Sequence, residues 1–132
     1  MAVNGRNKGS NFERSIAADL HAELGIGFKR NLEQTREAGH ADLIPDDPAF
    51  PFTLELKRYK EGPVGGAKDW WLQVQTAANR EGKIPALIYK YDRQPIRCVI
   101  PLDALVNHTT GYVIEMDFTA FCYIAREMMN EN

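Results

Sequence analysis

The segment PFTLELKRY, residues 51–59, most restricts how this chain folds. It is an apolar, strand-like run that carries a glutamate and a lysine at positions 55 and 57. Side chains alternate faces along a strand, so Glu55 and Lys57 share one face and Leu54 and Leu56 the other. A carboxylate in apolar surroundings is costly to bury and needs a cation, a hydrogen-bond network or a metal as partner. Two readings are open at this level. Glu55 and Lys57 form a plain ion pair at a solvated edge, or they are two parts of one reaction site.

The flanking segments set the frame around that strand. In FERSIAADLHAELG, Phe12, Ile16, Leu20 and Leu24 recur at helical spacing. This predicts a helix capped by Ser10 or Asn11 and stopped at Gly25, preceded by a flexible arm over residues 1–8. GFKRNL and ADLI read as short strands separated by the loop EQTREAGH, and PDDPAFP reads as a turn. KEGPVGGAK is expected to be a flexible loop. DWWLQVQTAANREG then reads as a helix, with Asp69 as its N-cap and Gly82 as its stop. IPALIYKY and IRCVIP are strands around the turn DRQP. PLDALVN is a short helix, YVIEM a last strand and residues 117–130 a C-terminal helix. Helices flanking a central mixed sheet predict an α/β layered fold, and 132 residues suit a single domain, 1–132.

Composition narrows the function classes. The net charge is −2 with a pI near 5.9, which argues against nucleic-acid binding by bulk charge. It leaves room for a local basic surface. Lys and Arg cluster at Arg6 and Lys8, at Lys29 and Arg30, and at Lys57, Arg58 and Lys60, whereas the tail after Gly111 is acidic. Cys98 and Cys122 lie in apolar surroundings and read as buried, reduced thiols. His21, His40 and His108 are too scattered for a zinc site. No apolar run is long enough to span a bilayer, and the start MAVNGRNKGS lacks the apolar core of a signal peptide. The expectation is a cytoplasmic protein with no membrane partner.

Three acids stand in apolar settings: Glu13 at the edge of a helical stripe, Asp42 in ADLI, and Glu55. If the strands of Asp42 and Glu55 pair, the two carboxylates converge at one point of the sheet. Hard oxygen ligands of that kind suit Mg²⁺ together with phosphate oxygens. A lysine on the same face could orient a water or stabilise developing negative charge. That constellation describes phosphodiester hydrolysis. The plainer alternative makes Asp42 a turn residue and leaves Glu55 and Lys57 as an ion pair.

The series NKGSNFER, ADLI, LELK, a glutamine-bearing helix and IPALIYKY, in that order, resembles the PD-(D/E)XK nuclease superfamily. Within it the chain is similar to the small archaeal Holliday-junction resolvases and related phage endonucleases, from about Lys8 to Ile100. The resemblance implies a restriction-endonuclease-like fold with an α-β-β-β-α-β core. It implies Asp42 and Glu55 as principal metal ligands, helped by the backbone carbonyl of Leu56 and by Glu13 on the first helix. Lys57 would be the catalytic lysine, with Gln73 beside it and Gln75 as the second choice. Ser10, Arg14, Arg30 and Arg36 would contact phosphates, and Lys8, Arg58, Lys60 and Lys68 add cations to the DNA-binding set. Mg²⁺, with Mn²⁺ as substitute, would be the cofactor. The partners would be branched DNA, typically a four-way junction, and a second copy of the chain, because two symmetric cuts need two sites. The setting would be DNA recombination or repair, in the bacterial host's cytoplasm if a phage encodes the chain.

One departure from the family pattern needs a choice. The literal Pro-Asp here is Pro45-Asp46, followed by Asp47, but PDDP is turn chemistry between two prolines. Asp42, preceded by Ala41 where the family has proline, is the better-held acid. Trp70 and Trp71 are expected to supply core or interface packing, Lys90 and Arg93 solvated charge, and the last helix core or dimer surface. Two other functions stay open: a different nuclease on the same scaffold (a nickase, a flap or a single-strand endonuclease), and a DNA-binding protein without catalysis.

Overall fold

The computed structural model describes residues 5–32 and 41–131. Helix α1 spans Gly5–Leu24, and strands β1 (Phe28–Arg30), β2 (Leu43–Pro45) and β3 (Phe52–Tyr59) follow. Helix α2 (Lys68–Glu81) leads to β4 (Ile84–Tyr91) and β5 (Arg97–Pro101). A single 3-10 turn at Leu102–Ala104, strand β6 (Val113–Asp117) and helix α3 (Phe118–Asn130) complete the chain. The strands form one sheet in the order β1-β2-β3-β4-β5-β6. Only β3 and β4 pair in parallel, because α2 carries the chain from one to the next; the other neighbours are antiparallel. This is the expected α/β fold, a mixed sheet between helices.

Each face of the sheet has its own core. Phe12, Ile16 and Leu20 of α1 and Phe121, Cys122 and Ala125 of α3 pack on Phe52, Leu54, Leu56, Ala86, Ile88, Cys98 and Ile100. On the opposite face, Trp70 and Val74 of α2 pack on Leu87, Tyr89, Tyr91 and Val99. Phe52, Leu54 and Leu56 of β3 thus feed the first core. The odd-numbered residues of this strand turn to α2: Thr53 Oγ1 donates to Glu81 at 2.7 Å, and the Tyr59 ring stacks on Trp70 with centroids 5.0 Å apart. Cys98 and Cys122 are free and buried, as read from their surroundings, and burial pushes both thiols up.

Four expectations need correction. The flexible arm expected over residues 1–8 is helical from Gly5 on, where α1 begins. Ser10 and Asn11 consequently lie inside the helix instead of capping it. Tertiary partners explain the longer helix: Lys8 Nζ reaches Asp92 Oδ1 at 3.0 Å, and Ser10 Oγ accepts from Arg30 Nη2 at 3.1 Å. Asp69 is not the N-cap of α2; Ala67 holds that position without a side-chain bond, and Asp69 sits in the first turn, where its charge suits the helix dipole. The loop after β3 is tied down. Tyr91 Oη donates to Pro63 O at 2.7 Å and Gly65 N donates to Tyr89 Oη at 3.0 Å. Gly62 lies so close to the Tyr91 ring that a Cβ there would stand 2.6 Å from Oη. Gly82 ends α2 in the left-handed region as expected, at φ 67.

Candidate active site

Asp42 precedes β2 by one residue and is fixed by its backbone. Its N donates to Leu54 O at 2.9 Å and its O accepts from Asn31 N at 2.9 Å. Asn31 Nδ2 in turn holds Ala41 O at 3.0 Å. The chain at Asp42 is therefore pinned between the ends of β1 and β3, and its carboxylate reaches over β3, where Oδ2 accepts from Leu56 N at 2.7 Å. That same reach brings it to Glu55, within hydrogen-bond distance. Both acids are buried, at 8% and 2% exposure.

Lys57, two residues along the same face, approaches Glu55 Oε1 at 3.6 Å and donates to Gln73 Oε1 of α2 at 3.1 Å. Burial first, and the Asp42 carboxylate second, push the Glu55 carboxyl up to about 9; the Lys57 ammonium opposes this without cancelling it. At neutral pH the pair therefore retains a proton unless another cation neutralises it. Two buried carboxylates that repel each other until a positive charge arrives are a donor set suited to a hard divalent cation. Among the described residues no group of three or more His, Cys, Asp and Glu converges as a metal site.

The other residues singled out in the sequence fall into two groups. Glu13 is buried on α1, with its Oε1 accepting from Arg30 Nε at 3.0 Å, while Arg30 also holds Ser10. Glu13, Ser10 and Arg30 thus form one hydrogen-bonded set. Lys8, Gly9 and the run Leu56–Lys60 line a cleft of about 390 Å³. This cleft gathers Lys8, Arg58 and Lys60 along the strand that carries Lys57, a local basic surface on a chain of net negative charge. Arg14 is exposed and contacts Asn11 at 3.2 Å, and Lys68 is exposed at the start of α2. Arg36 lies outside the described residues. Gln75 lines a separate cavity of about 560 Å³ with Trp71 and Tyr112, so Gln73 is the glutamine at Lys57.

Asp46 and Asp47 do the turn chemistry read from PDDP. Asp47 Oδ1 accepts from Ala49 N at 2.9 Å, and Asp46 packs its carboxylate against Gly27. Trp70 is buried and Trp71 half-buried. Sequence reasoning missed Asp92, which accepts from both Lys8 and Arg58. It also missed Asn31, whose side chain fixes the peptide before Asp42. The signal for Asp92 lies in the parallel register that sets Tyr59 opposite Tyr91, which no local pattern discloses.

Comparison with known proteins identifies the family and the fold. Residues 4–131 match the model of the family described as "Phage putative PDDEXK endonuclease". No curated protein matches the chain significantly. Among solved structures, a Holliday junction resolvase from Archaeoglobus fulgidus, an archaeal hyperthermophile, has a similar fold. The TM-score is 0.53 at 22% identity, over 86% of this chain and 87% of that one. No helix among the described residues is long and apolar enough to cross a membrane. The family match spans nearly the whole chain and takes in Asp42, Glu55 and Lys57, and the chain belongs to this phage family of PD-(D/E)XK endonucleases.

Proposed function

We propose that the chain is a divalent-metal-dependent, structure-selective DNA endonuclease of the Holliday-junction resolvase type, acting as a homodimer. The single observation that carries the reading is the buried Asp42–Glu55 pair with Lys57 on its flank and Gln73 behind Lys57. Asp42, Glu55 and the Leu56 carbonyl would hold Mg²⁺, or Mn²⁺ in its place, with Glu13 assisting from α1 and its charge balanced by Arg30. The bound ion supplies Lewis acidity at the scissile phosphate.

The chain's own groups do the rest. A water oxygen bonds to phosphorus as the bond to one sugar oxygen breaks. The water gives up a proton to solvent, the departing sugar oxygen takes one from solvent, and negative charge builds on the non-bridging oxygens in between. The Lys57 ammonium is aimed to offset that charge or to orient the water, and Gln73 keeps it there by accepting one of its protons. Lys8, Ser10, Arg14, Arg30, Arg36, Arg58, Lys60 and Lys68 contact the DNA backbone, so affinity falls steeply with salt. With no base-reading helix evident among the described residues, discrimination rests on DNA shape. The likeness in fold to a junction resolvase supports a four-way junction as substrate, and its two-fold symmetry calls for two copies of the chain. Exposed Leu105, Val106 and Tyr123 offer apolar surface for that contact.

The test is a substrate panel of a four-way junction, a flap, a nicked duplex and plain duplex, cut by wild type and Glu55→Ala in Mg²⁺. The junction should be cut fastest by wild type and not at all by the variant, whose circular dichroism should be unchanged. Wild-type cutting by Glu55→Ala would reject the site, and preference for another substrate would reject the resolvase assignment. Sedimentation of the protein with and without junction checks the dimer.

A further inference from the structure

The parallel register of β3 and β4 sets Tyr59 opposite Tyr91, so the residues that follow leave the sheet side by side. Asp92 N donates to Lys60 O at 3.1 Å, and the chain then turns back, with Gln94 N on Tyr91 O at 3.2 Å. Arg93 takes a left-handed φ of 62 within that turn. The turn holds the Asp92 carboxylate at the cleft lined by Lys8, Lys57, Arg58 and Lys60. There a single oxygen, Oδ1, meets Lys8 Nζ of α1 at 3.0 Å and Arg58 Nη1 of β3 at 2.7 Å. The two cations come from elements fifty residues apart in sequence. Arg58 Nη1 also donates to Tyr59 O at 2.7 Å, which fixes its direction.

An ammonium and a guanidinium converging on one anionic oxygen at such distances also match the needs of a phosphate oxygen. All three side chains are part-exposed, at 25%, 17% and 34%, so a ligand can reach them from solvent. Hydrogen bonds from Lys8 and then Arg58 hold the Asp92 carboxyl below its ordinary range, so it stays anionic. Arg58 follows Lys57 directly on β3, so a phosphate held by Arg58 binds at the strand that carries the proposed site.

We propose that Lys8 and Arg58 form a phosphodiester subsite, and that the Asp92 carboxylate fills it in the DNA-free protein and yields it to a backbone phosphate of the substrate. The inference rests on the nuclease reading for the identity of the ligand. Asp92 is a positioning residue in this scheme: it keeps two cations gathered and neutralised, and every binding event has to break its contacts. The internal carboxylate therefore lowers affinity for DNA in general. A substrate must fill several phosphate contacts at once to offset the loss.

The experiment measures binding of a fluorescein-labelled duplex and a labelled four-way junction by anisotropy, in chelator, over a salt series. The proteins are full-length wild type, Asp92→Asn, Asp92→Ser, the Lys8→Ala/Arg58→Ala pair, and that pair combined with Asp92→Asn. Asp92→Asn keeps an acceptor oxygen and loses only the charge, so binding should tighten by about threefold to tenfold at low salt. The slope of log affinity against log salt should steepen by about one, the value for one more phosphate contact. Asp92→Ser should behave alike, which guards against a fold defect in one variant. In the background lacking Lys8 and Arg58 side chains, Asp92→Asn should gain nothing. Equal or weaker binding by both Asp92 variants overturns the inference, and if wild type still binds and cuts DNA the nuclease reading stands. Wild type that binds neither DNA at any salt, in chelator or in Mg²⁺, overturns both.

Discussion

On one face of β3, Phe52, Leu54 and Leu56 sink into an apolar core beneath α1 and α3; on the other, Thr53, Glu55 and Lys57 meet Glu81, Asp42 and Gln73. The same eight-residue strand serves both faces, and both are buried over most of its length. The difference lies in what burial does. On the apolar face it lowers the free energy of the folded chain through removal of carbon from water. On the polar face it raises the free energy of a carboxylate and is tolerated because Asp42, Lys57 and a proton or cation share the site. The second face is thus a store of electrostatic tension, and the first supplies the stability that permits it.

Substitutions can set the two faces against each other. The largest stability effect is expected on the apolar side. Leu54→Ala should destabilise by about 2–5 kcal/mol through lost burial and a residual cavity. Urea unfolding measures it, and a loss below 1 kcal/mol would mean that this face is not tightly packed. On the polar side, Gln73→Ala removes the acceptor of Lys57 and should lower the cleavage rate by about 10- to 100-fold with little change in unfolding midpoint. A rate equal to wild type would remove Gln73 from the site.

A smaller effect, opposite in sign, should follow from Glu55→Gln in chelator. The Glu55 carboxyl titrates near 4.5 in the unfolded chain and is raised to about 9 in the folded one. The folded state therefore binds the proton more tightly. Stability from this group is full below pH 4.5 and declines as pH rises through 9. Metal-free wild type should lose melting temperature between pH 6 and pH 9, and Glu55→Gln should lose less. Parallel curves for the two proteins would show that the Glu55 proton does not contribute. Added Mg²⁺ should restore the wild type and raise the variant less, since the variant keeps only Asp42 of the carboxylate pair.

Much of this was legible along the chain. The two-residue alternation in FTLELKRY placed Glu55 and Lys57 on one face, and the helical stripe Phe12, Ile16, Leu20 named three core residues. The prolines around Asp46 and Asp47 marked a turn, and Asp42 was preferred over them because ADLI reads as a strand, although β2 itself begins one residue later at Leu43. These readings succeed because periodicity and turn chemistry act over a few residues. The extent of α1 was not legible, because Lys8 and Ser10 are held in the helix by Asp92 and Arg30, distant in sequence. Nor was the anchored loop, whose partners are hydroxyls of Tyr89 and Tyr91 on the next strand.

The sequence by itself determined the order and type of the main strands and helices, and which side chains share a face, because those follow from local backbone geometry. Only the tertiary structure decided which charges meet: Asp42 with Glu55, Glu13 with Arg30, and Asp92 with both Lys8 and Arg58. Coulombic pairing and desolvation depend on distance and burial in space. Both are set by sheet order and register, which no short window of sequence contains.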